Sequence, residues 1–190
     1  MRKADISAHG FFAFFESKRG GLPRIVRAYR CLGAASIPSG PLFQPEEKTM
    51  DRHATAVWQG TLKEGKGSLD TQSGALKGVA YSFKTRFEDE SGKSGTNPEE
   101  LIAAAHAGCF AMQFSHFLAE NGTPAEKLDA KAVVTLVPGT GITGSALTVT
   151  GTVPGIDAAK FKELAEKAKG ECPVSKALGA INVSLDAKLG

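Results

Sequence analysis

Gly95-Thr96-Asn97-Pro98-Glu99-Glu100-Leu101-Ile102-Ala103-Ala104-Ala105-His106-Ala107-Gly108-Cys109-Phe110 decides how this chain folds. It opens as a turn, with Asn97 before Pro98, and the spacing that follows predicts a helix of about six turns reaching near Glu120. Pro98 suits the first helical position, where its missing N–H has no partner to lose. Glu99 and Glu100 face the positive end of the helix dipole. From Ala103 to Gly108 nearly every side chain is small, so other backbone can pack closely against this helix. Cys109 ends that run, and a thiol there is either a small core residue or a reagent.

Working outward, the residues around Trp58 alternate over 52–59 as a strand does, and Gly60 with Gly65-Lys66-Gly67 punctuates a hairpin. Residues 67–71 and 75–83 are expected to be strands joined by a turn at Ser73-Gly74, with 84–87 prolonging the second. An acidic loop, 88–95, leads into the long helix, which Asn121-Gly122 stops. Beyond it, 128–137 and 145–153 alternate as two long strands. Asp157 is a good N-cap for a second helix carrying Phe161, Leu164, Ala165 and Ala168 on one face. Cys172-Pro173 then opens a short helix, and 180–188 returns as a strand. This order predicts an α+β domain with antiparallel sheets packed around the long helix.

The 190 residues suffice for one good-sized domain over 50–190 with an appendage before it. Eight of the 23 basic residues but only four of the 20 acidic ones precede Met50, so the body is close to neutral despite the overall +3. A near-neutral body gives no electrostatic case for nucleic acid as a partner. No uninterrupted apolar run approaches the ~18 residues of a membrane span. Three cysteines suit a reducing compartment rather than a disulfide framework, and a cytoplasmic location is expected. Residues 1–49 scatter arginines among Phe11, Phe12, Phe14, Phe15 and a loop-like Ile37-Pro38-Ser39-Gly40-Pro41, without periodicity for a packed unit. The expectation is a disordered tail, or a stretch upstream of a true start at Met50; an organelle transit peptide is the remaining alternative. Cys31, in this segment, has no assigned role.

Outside that segment the thiols are Cys109 and Cys172. Cys172 precedes Pro173 at a predicted helix start, where free N–H groups favour a thiolate. Cys109 lies mid-helix and needs a cation to ionise. Residue patterns leave several readings open: two inert core cysteines, a redox pair, a Cys109–His106 nucleophilic pair, or a zinc cluster of His106, Cys109 and His116.

The set of motifs narrows this. Residues 95–102 with Ala105-His106-Ala107-Gly108-Cys109-Phe110 resemble the central motif of the OsmC family, relatives of the organic hydroperoxide resistance (Ohr) proteins. Trp58-Gln59-Gly60, Gly65-Lys66-Gly67, Thr85-Arg86-Phe87-Glu88, 153–157 and Cys172-Pro173-Val174-Ser175 follow in the family's order. Glu100 and His106 place the chain nearer OsmC than Ohr. The resemblance implies an intertwined homodimer and a cysteine-based peroxidase acting in oxidative or osmotic stress defence. Cys109 is then the peroxidatic thiolate, acting on organic hydroperoxides and less efficiently on hydrogen peroxide, and Cys172 resolves its sulfenic acid into a disulfide. Arg86 supplies the cation and Glu99 orients it. No cofactor or metal is implied; an external dithiol, a dihydrolipoyl group on a lipoylated protein, is the implied reductant. The alternative on the same scaffold is a non-catalytic thiol sensor or small-hydrophobe binder.

Helix geometry adds a constraint. Glu99 and Cys109 are separated by ~15 Å along the axis and ~80° in azimuth. One arginine cannot easily serve both, so the expectation is that the glutamate acting on Cys109 comes from a partner subunit, across an interface of Ala and Gly residues between antiparallel long helices.

Overall fold

The alternating stretch around Trp58 forms β1 (Ala54–Gln59), which pairs antiparallel with β2 (Lys66–Thr71), and β2 pairs antiparallel with β3 (Val79–Ser82). The computed structural model describes residues 49–190; the tail expectations and Cys31 lie outside those residues. Trp58 stacks at a tilt on Tyr81, 5.4 Å between ring centroids, and its indole N–H donates to the Gly60 carbonyl at 3.1 Å. The strand expected over 75–83 is shorter, because the chain turns through 72–78, where the Asp70 carboxylate takes the Gly78 N–H.

Residues 84–87 do not continue that strand: Phe83–Phe87 is a helical turn, α1. The reason is local chemistry. The Ser82 hydroxyl accepts from the Thr85 N–H while the Thr85 hydroxyl accepts from the Ser82 N–H, a reciprocal capping box. Phe83 and Phe87, four apart, then stack at 4.9 Å. Such short-range capping outweighs an alternating pattern that has no partner strand to pair with. Gly95 and Thr96 return the chain to the sheet. The Thr96 N–H donates to the Ala80 carbonyl, and a Cβ at Gly95 would lie 2.6 Å from that oxygen.

Asn97 caps α2 (Pro98–Glu120), accepting from the Glu100 N–H at 2.8 Å. By length and composition alone α2 is apolar enough to cross a membrane, although no long uninterrupted apolar run is evident in the sequence. One face instead forms the core: His106, Phe110, Phe114, Phe117 and Leu118 are buried. They pack on β4 (Lys127–Val137), β5 (Gly141–Thr152) and α3 (Ala158–Glu171). β4 and β5 alternate as expected, with Leu147 and Val149 inward. α4 (Pro173–Ala177) follows α3, and the crossover through both lets β6 (Asn182–Leu189) join β5 in parallel.

Phe161 sits at the centre of this core, edge-on to Phe114 at 4.9 Å and directly over Gly151, where a Cβ would come within 2.7 Å of its ring. Phe161→Ala is expected to cost about 3–5 kcal/mol, seen as a lowered urea midpoint with an unchanged slope.

The two sheets differ in how far they are covered. β4–β5–β6 lies against helices, whereas every residue of β1 is exposed, Val57 and Trp58 among them. The α2 face formed by Ala104, Ala105, Gly108 and Met112 is likewise open, and Met112 is 78% exposed.

Candidate active site

α2 carries Cys109 one turn past His106, and the α3–α4 junction carries Cys172 to it. The sulfurs are 3.1 Å apart, both cysteines being free. Cys172 is fully buried and Cys109 half-buried. A disulfide needs about 2.05 Å between sulfurs, so ~1 Å of side-chain motion joins them. Cys172 belongs to both helices, closing α3 with its N–H on the Ala168 carbonyl and preceding Pro173 of α4.

The two thiols are shifted in opposite directions. Burial pushes the Cys109 thiol up, the Val174 N–H partly offsets this, and the neighbouring Cys172 adds to the rise. Burial also opposes ionisation of Cys172. There the Ser175 N–H, the Cys109 thiol, the Ser175 hydroxyl and the Val174 N–H together outweigh it, leaving its pKa below the usual thiol value. Within one chain, then, the surroundings favour ionisation of Cys172 over that of Cys109. A mid-helix thiol gains nothing from the helix dipole, and a cation beside Cys109 would favour its thiolate.

His106 does not pair with Cys109. Its ring is fully buried between two hydroxyls, Nδ1 at 2.7 Å from Ser145 Oγ and Nε2 at 2.8 Å from Ser175 Oγ. Burial lowers its pKa, favouring the neutral ring. Both ring nitrogens are engaged, which removes the general base from a Cys–His hydrolase. His116 points outward to Glu120 at 3.4 Å, so it does not converge with His106 and Cys109 on a metal.

At the other end of the site, α1 folds beside the start of α2 and brings Arg86 to Glu99 in the same chain. Arg86 Nη2 donates to Oε1 at 2.6 Å and Nε to Oε2 at 3.2 Å. This corrects the expectation that a partner subunit's glutamate orients Arg86. The loop over 88–97 between α1 and α2 folds on itself, Asp89 accepting from the N–H groups of Ser91, Lys93 and Ser94, and α1 lies close enough for the two side chains to meet. Glu100 turns away to the Thr96 hydroxyl at 2.8 Å. The fork leaves Arg86 Nη1 without a hydrogen-bond partner among the described residues. Arg86 also lies over the Phe87 ring, 5.0 Å from its centroid, and lines a cavity of about 330 Å³ with Trp58, Leu62, Tyr81, Phe83 and Phe87.

Among the described residues no cation acts on the thiol pair, and the guanidinium, oriented by a carboxylate, has donors to spare beside an apolar cavity. The ~15 Å of helix between Glu99 and Cys109 keeps them apart. Ser145, Ser175 and Val174 were not singled out from the sequence as site residues. Ser175 stands in the Cys172-Pro173-Val174-Ser175 motif, but nothing in the spacing ties Ser145 to His106, 39 positions away.

Comparison with known proteins gives concordant findings. A family model described as OsmC-like protein matches residues 90–186. The chain is 46% identical over 144 residues to Peroxiredoxin OsmC of Escherichia coli (strain K12), covering 74% of this chain and 98% of that protein. It is 35% identical over 150 residues to an organic hydroperoxide resistance protein of Xanthomonas axonopodis pv. citri, covering 76% and 98%. Among solved structures, an organic hydroperoxide resistance protein OsmC from Legionella pneumophila superposes with a TM-score of 0.57 at 23% identity, covering 75% of this chain and 99% of that one.

Proposed function

The chain belongs to the OsmC family, and from that premise we propose that it is a thiol-dependent peroxidase that reduces organic hydroperoxides in stress defence. The observation that carries this is the pair of free sulfurs 3.1 Å apart, one buried and one half-buried. The Cys109 thiolate attacks the terminal oxygen of the hydroperoxide. The O–O bond breaks, and its electron pair leaves on an alkoxide that takes up a proton to become the alcohol. Cys109 is left as a sulfenic acid. The Cys172 thiolate attacks that sulfur, the S–O bond breaks, and hydroxide leaves with a proton as water. An external dithiol, a dihydrolipoyl group by family likeness, then reduces the disulfide. The chain's own residues need no cofactor for these steps.

The missing cation comes from a second copy. In a two-fold dimer the Arg86–Glu99 pair of one chain lies over the partner's Cys109, lowering its pKa and meeting charge that develops on the leaving oxygen. The open face of α2 and the exposed strand β1 support this reading, since Ala104, Ala105, Gly108 and Met112 of α2 and every residue of β1 are uncovered in one chain. Arg fits this role better than Lys, because the bidentate fork on Glu99 fixes the guanidinium plane while Nη1 stays available.

The apolar cavity beside Arg86 supports an organic substrate. An alkyl group burying about 80 Å² there gains about 2 kcal/mol at ~25 cal/mol per Å², or roughly thirtyfold in kcat/KM over hydrogen peroxide. Stopped-flow consumption of cumene hydroperoxide and hydrogen peroxide, with dihydrolipoamide as donor, tests this. Equal rates for the two peroxides contradict the cavity as substrate site. A disulfide that forms but is not recycled by any dithiol favours the sensor.

A further inference from the structure

Arg86 lines two hollows. One is the apolar cavity described above. The other is a groove of about 490 Å³ between the start of α2 and β4, shared with Glu99, Glu100, Ala103, Val133 and Leu136. Of the residues lining the two, only Glu99 and Glu100 are charged besides Arg86. Lys84 and Glu88, two positions before and after it, line a separate hollow with Asp89. Two adjacent carboxylates therefore share a groove with one guanidinium, yet Glu99 alone takes it.

What holds Glu100 away is Thr96. With Asn97 as the cap, Glu100 is the third helical residue, where a glutamate commonly reaches back to the cap residue's own N–H. Here its carboxylate accepts instead from the Thr96 hydroxyl, at 2.8 Å. Thr96 has little freedom to do otherwise. It is 6% exposed, its N–H donates to the Ala80 carbonyl at 3.1 Å, and its hydroxyl has no other hydrogen-bond partner among the described residues. A buried hydroxyl left without an acceptor is costly, so the bond to Glu100 is kept. Glu100 is itself exposed, and among the described residues its carboxylate has no hydrogen-bond donor but Thr96.

We propose that Thr96 is a positioning residue for the reaction: by holding Glu100, it keeps a second carboxylate off Arg86 and leaves Nη1 open toward the partner's Cys109. This rests on the reading of Arg86 as the cation of a site shared between chains. The Arg86–Glu99 pair is neutral as a whole, so it favours a thiolate through the donors that Glu99 leaves unused. A second carboxylate on Nη1 would occupy those donors and make the group net negative, which disfavours the Cys109 thiolate.

Three measurements test the proposal. In the wild-type protein, proton NMR is expected to show the Thr96 hydroxyl proton in slow exchange with water, moving upfield in Glu100→Gln, whose neutral amide is the weaker acceptor. Thr96→Val keeps the shape and removes the donor. Its crystal structure is expected to show the Glu100 carboxylate on Arg86 Nη1. Its single-turnover oxidation of Cys109 by cumene hydroperoxide is expected to slow about three- to tenfold, with the midpoint of the rate moved to higher pH. Thr96→Ser should keep the wild-type rate. Thr96→Val/Glu100→Gln should recover it to within about twofold, since the competing charge is gone.

A loss in Thr96→Val that Glu100→Gln does not relieve would make Thr96 merely structural and overturn the proposal. An unmoved rate in folded Thr96→Val overturns it too. So does a Thr96 hydroxyl that exchanges freely in the wild type, a result that holds even if Thr96→Val fails to fold. Were Arg86 not the cation of Cys109, the hydroxyl proton and the captured Nη1 would behave as stated, while Arg86→Met left Cys109 oxidation unmoved.

Discussion

Cys109→Ser is expected to abolish hydroperoxide consumption, with kcat/KM falling on the order of 10⁴–10⁶-fold, as when an enzyme loses its nucleophile. A serine hydroxyl at the same place has no thiolate to offer and cannot form a sulfenic acid. Cys172→Ser should fail differently. The first equivalent of peroxide is still consumed, because the chemistry at Cys109 needs only Cys109 and its cation. The product is a sulfenic acid with no thiol 3.1 Å away to condense with it. Turnover with dihydrolipoamide is then lost, and excess peroxide drives Cys109 to the sulfinic acid. Mass spectrometry after one equivalent of cumene hydroperoxide separates the two variants: no added oxygen in Cys109→Ser, and one in Cys172→Ser. A wild-type rate of single-turnover consumption in Cys109→Ser would reassign the peroxidatic role to Cys172.

Arg86→Met is the second large effect, expected to lower kcat/KM by about 10²–10³-fold, the usual loss on removing one preorganised charge partner of a transition state. Methionine keeps the hydrocarbon stem beside Phe87 and the cavity, so the loss reports the charge. The pH dependence gives the sign. In one chain burial raises the Cys109 pKa and the Val174 N–H offsets this only in part; in the proposed dimer the partner's guanidinium lowers it further. Removing Arg86 should move the midpoint of the rate of Cys109 oxidation to higher pH, with the rate still climbing where the wild type has levelled. Glu99→Gln should lose less, because the charge remains and only the fork that orients it is weakened.

Much of this molecule was legible from residue patterns, because they follow local rules. Asn97 and Pro98 begin α2, Asp157 begins α3, and the inward residues of β4 and β5 alternate as polarity alone dictates. Pattern and structure part where a short-range interaction overrides the alternation. Residues 83–87 alternate well enough for a strand, but the Ser82–Thr85 box closes a helical turn first, and that turn swings Arg86 onto Glu99 of its own chain. The bracketing of His106 was not legible, since Ser145 lies 39 residues away and Ser175 lies 69 away, and only the packing of α2 between β5 and α4 brings them together. The separation of Glu99 from Cys109 follows from the rise of one straight helix, and with Arg86 held by the glutamate of its own chain it is the ground on which a site shared between chains is proposed.

That shared site is the central claim, and mixing two inactive variants tests it. Cys109→Ser chains and Arg86→Met chains are co-expressed with different tags, and the heterodimer is isolated. In it, one site combines the intact Cys109 of the Arg86→Met chain with the intact Arg86 of the Cys109→Ser chain; the other site has neither. A site built across the dimer predicts about half the wild-type turnover of cumene hydroperoxide per heterodimer, from two parents that are each nearly inactive. A heterodimer no more active than the Arg86→Met parent would place Arg86 and Cys109 of one chain in the same site and contradict the shared one.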